Sequence, residues 1–220
     1  MLKLLSISIV AAGMLISTAS ATEIGSFINK RNCDQLIDKS YYKICYDYNL
    51  KAARYVGYTL DGSLVNAVNI KKRPRFYEEK RIPKQYRAKH SDYTRSGYDR
   101  GHLQNDANSD WSKKSQKSTY SMANIIPQVP TVNRKTWIKA EKYERKVAVK
   151  LGSVQVLNGV IYPSKPQRIG RNGIAVPSGY WKMIFNNKGF ERCFYYKNDK
   201  RAKAKGDKLR SHLIDCSSLL

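Results

Sequence analysis

The chain of 220 residues carries 41 Lys and Arg against 17 Asp and Glu, a formal charge of +24 at pH 7. Only three histidines are present and no two cysteines stand as C-x-x-C, which argues against a structural zinc site. Beyond the N-terminal apolar run, no stretch approaches the roughly 20 apolar residues of a membrane-spanning helix, so the remainder reads as a soluble body.

In chain order, Met1-Leu2-Lys3 is a short cationic start and Leu4 to Ile16 is almost unbroken apolar. Ala19-Ser20-Ala21 follows as an A-x-A cleavage signal. This is the three-part layout of a secretory signal peptide. Residues 1–21 are therefore expected to be removed, leaving 22–220 as a single domain. That length is enough for a proper core. The expected location is secreted, periplasmic or extracellular, with no membrane attachment after cleavage. All four cysteines lie in the mature part, and an even count in an exported chain predicts two disulfides. Of the three possible pairings, the short loops Cys33–Cys45 and Cys193–Cys216 are the economical one.

Tyr41–Tyr48 is rich in tyrosine and β-branched residues. Arg54–Leu60 and Leu64–Ile70 flank Asp61-Gly62-Ser63, which reads as a strand–turn–strand hairpin. Residues 71–98, broken by Pro74 and Pro83, read as a long surface excursion, and such excursions are more often functional than idle. Gln104 to Ser118 has loop composition. Thr131 to about Lys150 lacks Gly and Pro and carries an apolar stripe of Trp137, Ile138, Ala140, Val147 and Ala148. Thr131 is the predicted N-cap, with Gly152 just past the end. Strand signals return at Val154–Tyr162, Tyr180–Phe185 and Cys193–Tyr196, the last two joined by Asn186-Asn187-Lys188-Gly189. Strands, one strong helix, then strands predict an α+β fold with a mostly antiparallel sheet and one long central helix.

The positive charge is concentrated. Lys71 to Lys89 is opposed only by Glu78 and Glu79, and Lys197 to Arg210 is basic again. A polyanionic partner follows, nucleic acid being the commonest, although lipopolysaccharide or an anionic cell wall fits the charge equally well.

Cleaving a phosphodiester requires a base for the attacking water, neutralisation of phosphoryl charge and help for the leaving oxygen. His102 is the candidate base, since an imidazole of ordinary pKa near 6.5 is mostly neutral above pH 7. His90 and His212 lack a comparable setting. Asn133, Trp137, Glu141 and Arg145 recur every four residues along the predicted helix. Eight helical residues rise roughly 12 Å, too far for Asn133 and Glu141 to be adjacent ligands of one ion. A consistent arrangement has Asn133 binding a hydrated Mg²⁺ directly and Glu141 acting from the outer shell. The same stripe could equally be an ordinary polar face with a Glu141–Arg145 ion pair.

Three blocks carry a family resemblance: Gly97-Tyr98-Asp99-Arg100-Gly101-His102, Ser121-Met122-Ala123-Asn124-Ile125-Ile126-Pro127-Gln128, and Asn133-x-x-x-Trp137-x-x-x-Glu141-x-x-x-Arg145. In order and spacing they resemble the non-specific DNA/RNA endonuclease family, which has a ββα-metal active site. The close match covers about residues 97–145. A looser one continues through Gly159 and Val176-Pro177 to Tyr180-Trp181-Lys182.

The resemblance implies that His102 is the general base, Asn133 the sole direct metal ligand and Glu141 the carboxylate that orients metal-bound water. Arg100, Asn124 and Arg145 match positions that support the site or the phosphate. The transition-state arginine upstream corresponds to Arg73, with Arg75 the alternative. Mg²⁺ is the implied cofactor and Mn²⁺ a substitute. DNA and RNA are the implied substrates, with little sequence discrimination and 5′-phosphate products. After His102 the family's usual Ala-Pro is replaced by Gln104-Asn105, which changes the loop without removing a catalytic group.

A non-catalytic cationic DNA-binding protein at the cell surface would also explain export and charge. It leaves His102, Asn133 and Glu141 without a reason to share this spacing. A metal-free ribonuclease using a His base and the RNA 2′-OH is a third reading, which cleavage of DNA would exclude. The oligomeric state is left open.

Overall fold

A computed structural model describes residues 24–219, so the predicted leader at 1–21 lies outside them. Every neighbour pairing in the main sheet is antiparallel. Its strands are β1 (Gln35–Asp38), β2 (Lys43–Asp47), β3 (Ala52–Asp61), β6 (Ser153–Ile161), β9 (Gly179–Phe185), β10 (Glu191–Lys197) and β11 (Leu213–Ile214), in the order β1-β2-β3-β6-β9-β10-β11. Two short ribbons stand apart: β4 (Asp99–His102) with β5 (Ile125–Gln128), and β7 (Arg168–Ile169) with β8 (Ile174–Ala175). The helices are α1 (Ile24–Phe27), α2 (Lys113–Thr119) and α3 (Ile138–Leu151), the last continuing a π-helical segment, Val132–Trp137.

Every residue of β9 is buried, because both faces of the sheet are covered. On one face Tyr180 and Ile184 join the main core, to which α3 contributes Ala140, Val147 and Ala148. On the other, Trp181, Met183 and Phe185 pack with Leu157, Ile28 and the four cysteines. The predicted pairings Cys33–Cys45 and Cys193–Cys216 are both present. They close loops of 12 and 23 residues. By chain entropy each stabilises the fold by about 3 kcal/mol.

Three local readings change. Leu64–Ile70 is not a strand. The turn itself forms, with Asp61 Oδ1 accepting from the Ser63 amide at 2.8 Å. However, both edges of β3 are already taken by β2 and β6, so no returning partner can pair with it. Within the polar stretch 104–118, Ser112 caps α2 by accepting from the Ser115 amide at 3.1 Å, giving a short helix where loop was expected. Thr131 is already helical at φ −61° and ψ −42°, so it is not the N-cap. Helical residues begin at Pro130, whose missing N–H costs nothing in a first turn. Gly152 does end α3, at φ 85°.

Candidate active site

The β4–β5 ribbon and the π/α3 helix form the walls of one cleft of about 700 Å³, lined by Arg73, Arg100, His102, Asn133, Glu141 and Arg145. Gly101 allows the ribbon to close, since a Cβ there would lie 2.0 Å from Gln128 Oε1.

His102, at the end of β4, lies against Tyr120, ring centroids 5.0 Å apart, and against Phe76 at 5.5 Å. Its Nε2 is shielded from solvent and has no protein partner among the described residues. Burial, reinforced by the Arg73 guanidinium, lowers its pKa to about 4, so the ring is neutral and able to accept a proton. Arg73 lines the cleft and Arg75 does not, so of the two predicted arginines only Arg73 faces the base.

Asn133 lies at the start of the helix with its amide orientation fixed. Its Nδ2 donates to Asp99 Oδ2 at 3.0 Å, which leaves Oδ1 for another partner. Arg134 holds the same carboxylate in a two-pronged pair at 2.7 and 2.5 Å. Burial opposes ionisation of Asp99, but the hydrogen bonds from Arg134 and Asn133 outweigh it and hold the carboxyl below its usual range. Neither Asp99 nor Arg134 was assigned a role from sequence. The adjacency of Arg134 to Asn133 was the available signal.

Glu141 faces the cleft one turn or more further along. Burial raises its pKa to about 7, with Lys182 lowering and Glu144 raising it in smaller measure. The predicted single stripe is divided, because Trp137 is fully buried and turned into the core against Tyr180 and Tyr196. The π segment explains this. Its wider turn rotates Asn133 away from the direction a four-residue step gives in a regular α-helix, and such segments often mark functional sites.

Among the described residues no three His, Cys, Asp or Glu side chains converge as metal ligands. An all-protein cage is thus unavailable there. One neutral amide oxygen with an acidic neighbour suits a hard cation that keeps most of its water, which is the behaviour of Mg²⁺.

The remaining predicted residues act around this centre. Arg100 donates from Nη2 to the His90 carbonyl at 3.0 Å and lies over Tyr93 at 5.5 Å, so part of its side chain braces the excursion. Asn124 is fully buried and does not line the cleft. Its Oδ1 accepts from the Gln104 amide at 2.9 Å, and its Nδ2 donates to the Gln104 and Thr119 carbonyls, both at 2.8 Å. It pins the loop after His102 and is too fully engaged to meet substrate. Arg145 lines the cleft bound to Asn105 and Asn108 rather than paired with Glu141.

The two basic tracts flank this centre. Within them Glu79 is consumed by Lys39 and Arg81, Asp199 by Arg201, and Asp207 by Lys139 and His212. Asn198 ties the second tract down, accepting from the Val129 amide at 2.8 Å and donating to the Pro127 carbonyl at 3.0 Å.

The model of the DNA/RNA non-specific endonuclease family matches residues 20–212. Human "Endonuclease G, mitochondrial" is 32% identical over 160 residues, covering 68% of this chain and 54% of that protein. "Nuclease 1, mitochondrial" of Schizosaccharomyces pombe is 30% identical over 171 residues, 72% of this chain and 53% of that one. A "Nuclease" of Nostoc sp. is 29% identical over 153 residues, 68% and 53% respectively. The chain spans about half the length of the curated relatives it matches. A solved structure, the crystal structure of the EndoG/EndoGI complex, superposes with a TM-score of 0.78 at 25% identity, covering 92% of this chain and 89% of that one.

Proposed function

Because the chain belongs to the DNA/RNA non-specific endonuclease family, we propose that it is a Mg²⁺-dependent endonuclease, with Mn²⁺ as a substitute metal. Its proposed reaction is hydrolysis of DNA and RNA phosphodiesters with little sequence discrimination. The observation that carries this reading is the convergence of a neutral buried imidazole, an oriented amide oxygen, the Glu141 carboxyl and four arginines on one cleft.

His102 takes a proton from a water in line with the scissile bond. Its pKa near 4 is set first by burial and then by the charge of Arg73. A phosphate beside that arginine offsets its charge and raises the ring's basicity when substrate is in place. Arg73 offsets the charge that grows on the phosphoryl oxygens. Arg145 and Arg100 hold the backbone, contacts that position a nucleic acid without reading its bases. Asn133 Oδ1 would hold the cation directly, with Glu141 on the same cleft acting on its waters from the outer shell. When bound, the cation supplies neutralisation of phosphoryl and leaving-oxygen charge. The leaving group is the 3′-oxygen, so the products carry 5′-phosphates.

Export through the N-terminal apolar segment is part of the same proposal, supported by two disulfides of the kind that persist in oxidising compartments. An N-terminus at Thr22 on protein recovered outside the cytoplasm would establish it. For the activity, plasmid and RNA are incubated with the purified protein in Mg²⁺ and in EDTA. Cleavage of both only with the metal is expected. Binding of both without any cleavage would favour the cationic binding protein instead.

A further inference from the structure

Behind the cleft lies a buried polar cluster that hydrolysis itself does not use. Lys182 of β9 and Glu144 of α3 form an ion pair at 2.5 Å with both side chains fully buried. Such a pair is costly to desolvate unless its remaining hydrogen-bonding capacity is filled, and here it is. Tyr58 donates its hydroxyl to both carboxylate oxygens at 3.2 and 3.1 Å, and Lys182 also lies 4.9 Å from the Trp137 ring.

Two asparagines complete the cluster. Asn105 and Asn108 each donate from Nδ2 to the same Glu144 oxygen, at 2.8 and 2.7 Å. The Oδ1 atoms of the same two residues both accept from Arg145 Nη1, at 3.2 and 3.1 Å. Neither amide can be turned around, because turning would set its oxygen against a carboxylate and its NH₂ against a guanidinium. Glu144 and Arg145 are neighbours on the helix, so they point about 100° apart. The inward carboxylate reaches the cleft-facing arginine only through these amides. No other protein hydrogen bond of Arg145 occurs among the described residues, which leaves Nε and Nη2 for a bidentate phosphate contact.

We infer that Asn105 and Asn108, oriented by the buried Glu144–Lys182 pair, are positioning residues that hold Arg145 ready for the phosphate backbone of a nucleic acid. The inference rests on reading Arg145 as a phosphate contact. It also accounts for the sequence departure after His102, since neither the Ala nor the Pro usual there could bridge Glu144 to Arg145. Fixing the guanidinium before substrate arrives removes ordering that binding would otherwise have to supply.

The test uses Asn105→Ala with Asn108→Ala, Arg145→Ala, and the combination. Affinity for a short DNA duplex is measured in EDTA, and kcat and KM for its cleavage in Mg²⁺. The asparagine pair is expected to weaken affinity and raise KM by about tenfold, the size of a lost hydrogen bond to a charged group, with kcat much less affected. In the Arg145→Ala background the same replacements should change nothing further. Wild-type affinity and KM in the asparagine variant, or losses that multiply with Arg145→Ala, would overturn the inference. So would an Arg145→Ala protein that binds like wild type. If thermal melting shows the double variant unfolded, Asn105→Ala and Asn108→Ala are measured singly, each expected to weaken affinity by a few-fold, and wild-type affinity in both would overturn the inference. A wild-type chain that binds but never cleaves would sink the hydrolytic reading, while the affinity measurements in EDTA would still decide the positioning role.

Discussion

At His102 and Glu141 burial acts in opposite directions on the charge the site needs. The imidazole is kept neutral, with a pKa near 4, and the carboxyl is kept protonated up to about pH 7. A raised carboxyl pKa means that binding a cation expels a proton below pH 7 and none above it. The apparent Mg²⁺ affinity should therefore rise about tenfold per pH unit as pH approaches 7, then level off. In the substrate-free protein His102 does not titrate on that limb, because its imidazole loses its proton near pH 4. Mg²⁺ titrations of activity across this range check the point, and Glu141→Gln should flatten the curve. An acid limb unchanged in Glu141→Gln would refute the assignment. His102→Ala should abolish cleavage yet leave duplex affinity within about twofold, as removing a transition-state group does. Normal turnover in that variant would remove the assigned base. Asn133→Ala should raise the Mg²⁺ needed for half-maximal activity by at least about a hundredfold, since losing even an indirect partner of a metal costs about 10–100-fold. That His102, Asn133 and Arg145 lie on one cleft accords with the three motif blocks and the family they resemble, where residue type and spacing alone had left an ordinary polar helix face open. Asp99, which turns the Asn133 amide, and Asn105, which bridges Glu144 to Arg145, were not legible in the sequence. Their roles depend on which way an amide faces, and no spacing encodes that.

The helix and sheet are joined through the pair formed by Glu144 on α3 and Lys182 on β9. Breaking a buried pair leaves an uncompensated charge, so Lys182→Met should destabilise the protein by about 3–5 kcal/mol. Adding Glu144→Leu should recover part of that loss but not all, because Asn105 and Asn108 then lose their acceptor. Urea unfolding of the two variants decides it, and a double variant no more stable than Lys182→Met would contradict this account. Among the elements, β6, β9, β10 and the central helix were readable because their apolar patterns are long and Gly152 marks the helix end, although its start lies at Pro130 and Thr131 does not cap it. The returning strand Leu64–Ile70 was misread because local pattern cannot reveal that β2 and β6 already occupy both edges of β3. The π segment was hidden for a related reason. Val132–Trp137 has ordinary helical composition, which does not distinguish a π turn from an α turn.

Over the whole molecule the formal charge is +24, and most cations of the two basic tracts have no acidic partner within their tract. Two acidic residues of the basic tracts tie them to the rest of the fold, Glu79 through Lys39 and Asp207 through Lys139, while Asp199 pairs at the surface with its neighbour Arg201. Lys139 sits next to Ile138, which lines the cleft, and Arg73 of the first tract enters the cleft directly. Lys200 lies over the ring of Tyr98, the residue before Asp99 of the cleft, so a nucleic acid leaving the cleft on that side would meet Lys200, Lys203 and Lys205. Each phosphate they neutralise releases condensed counterions, so affinity should fall linearly on a logarithmic salt scale with a slope of about −0.9 per contact. Six contacts would lose about a thousandfold between 50 and 200 mM salt. Replacing Lys200, Lys203 and Lys205 together by Ala should make the slope shallower by up to about 2.7, and should lower affinity equally for DNA duplexes of any sequence. Turnover at saturating substrate should stay near wild type, because none of the three reaches the cleft itself. Fluorescence anisotropy in EDTA at several salt concentrations measures the slope. A slope unchanged by the triple replacement would mean that the C-terminal tract lies off the path of the nucleic acid, and that the cleft arginines and the first tract carry the binding alone.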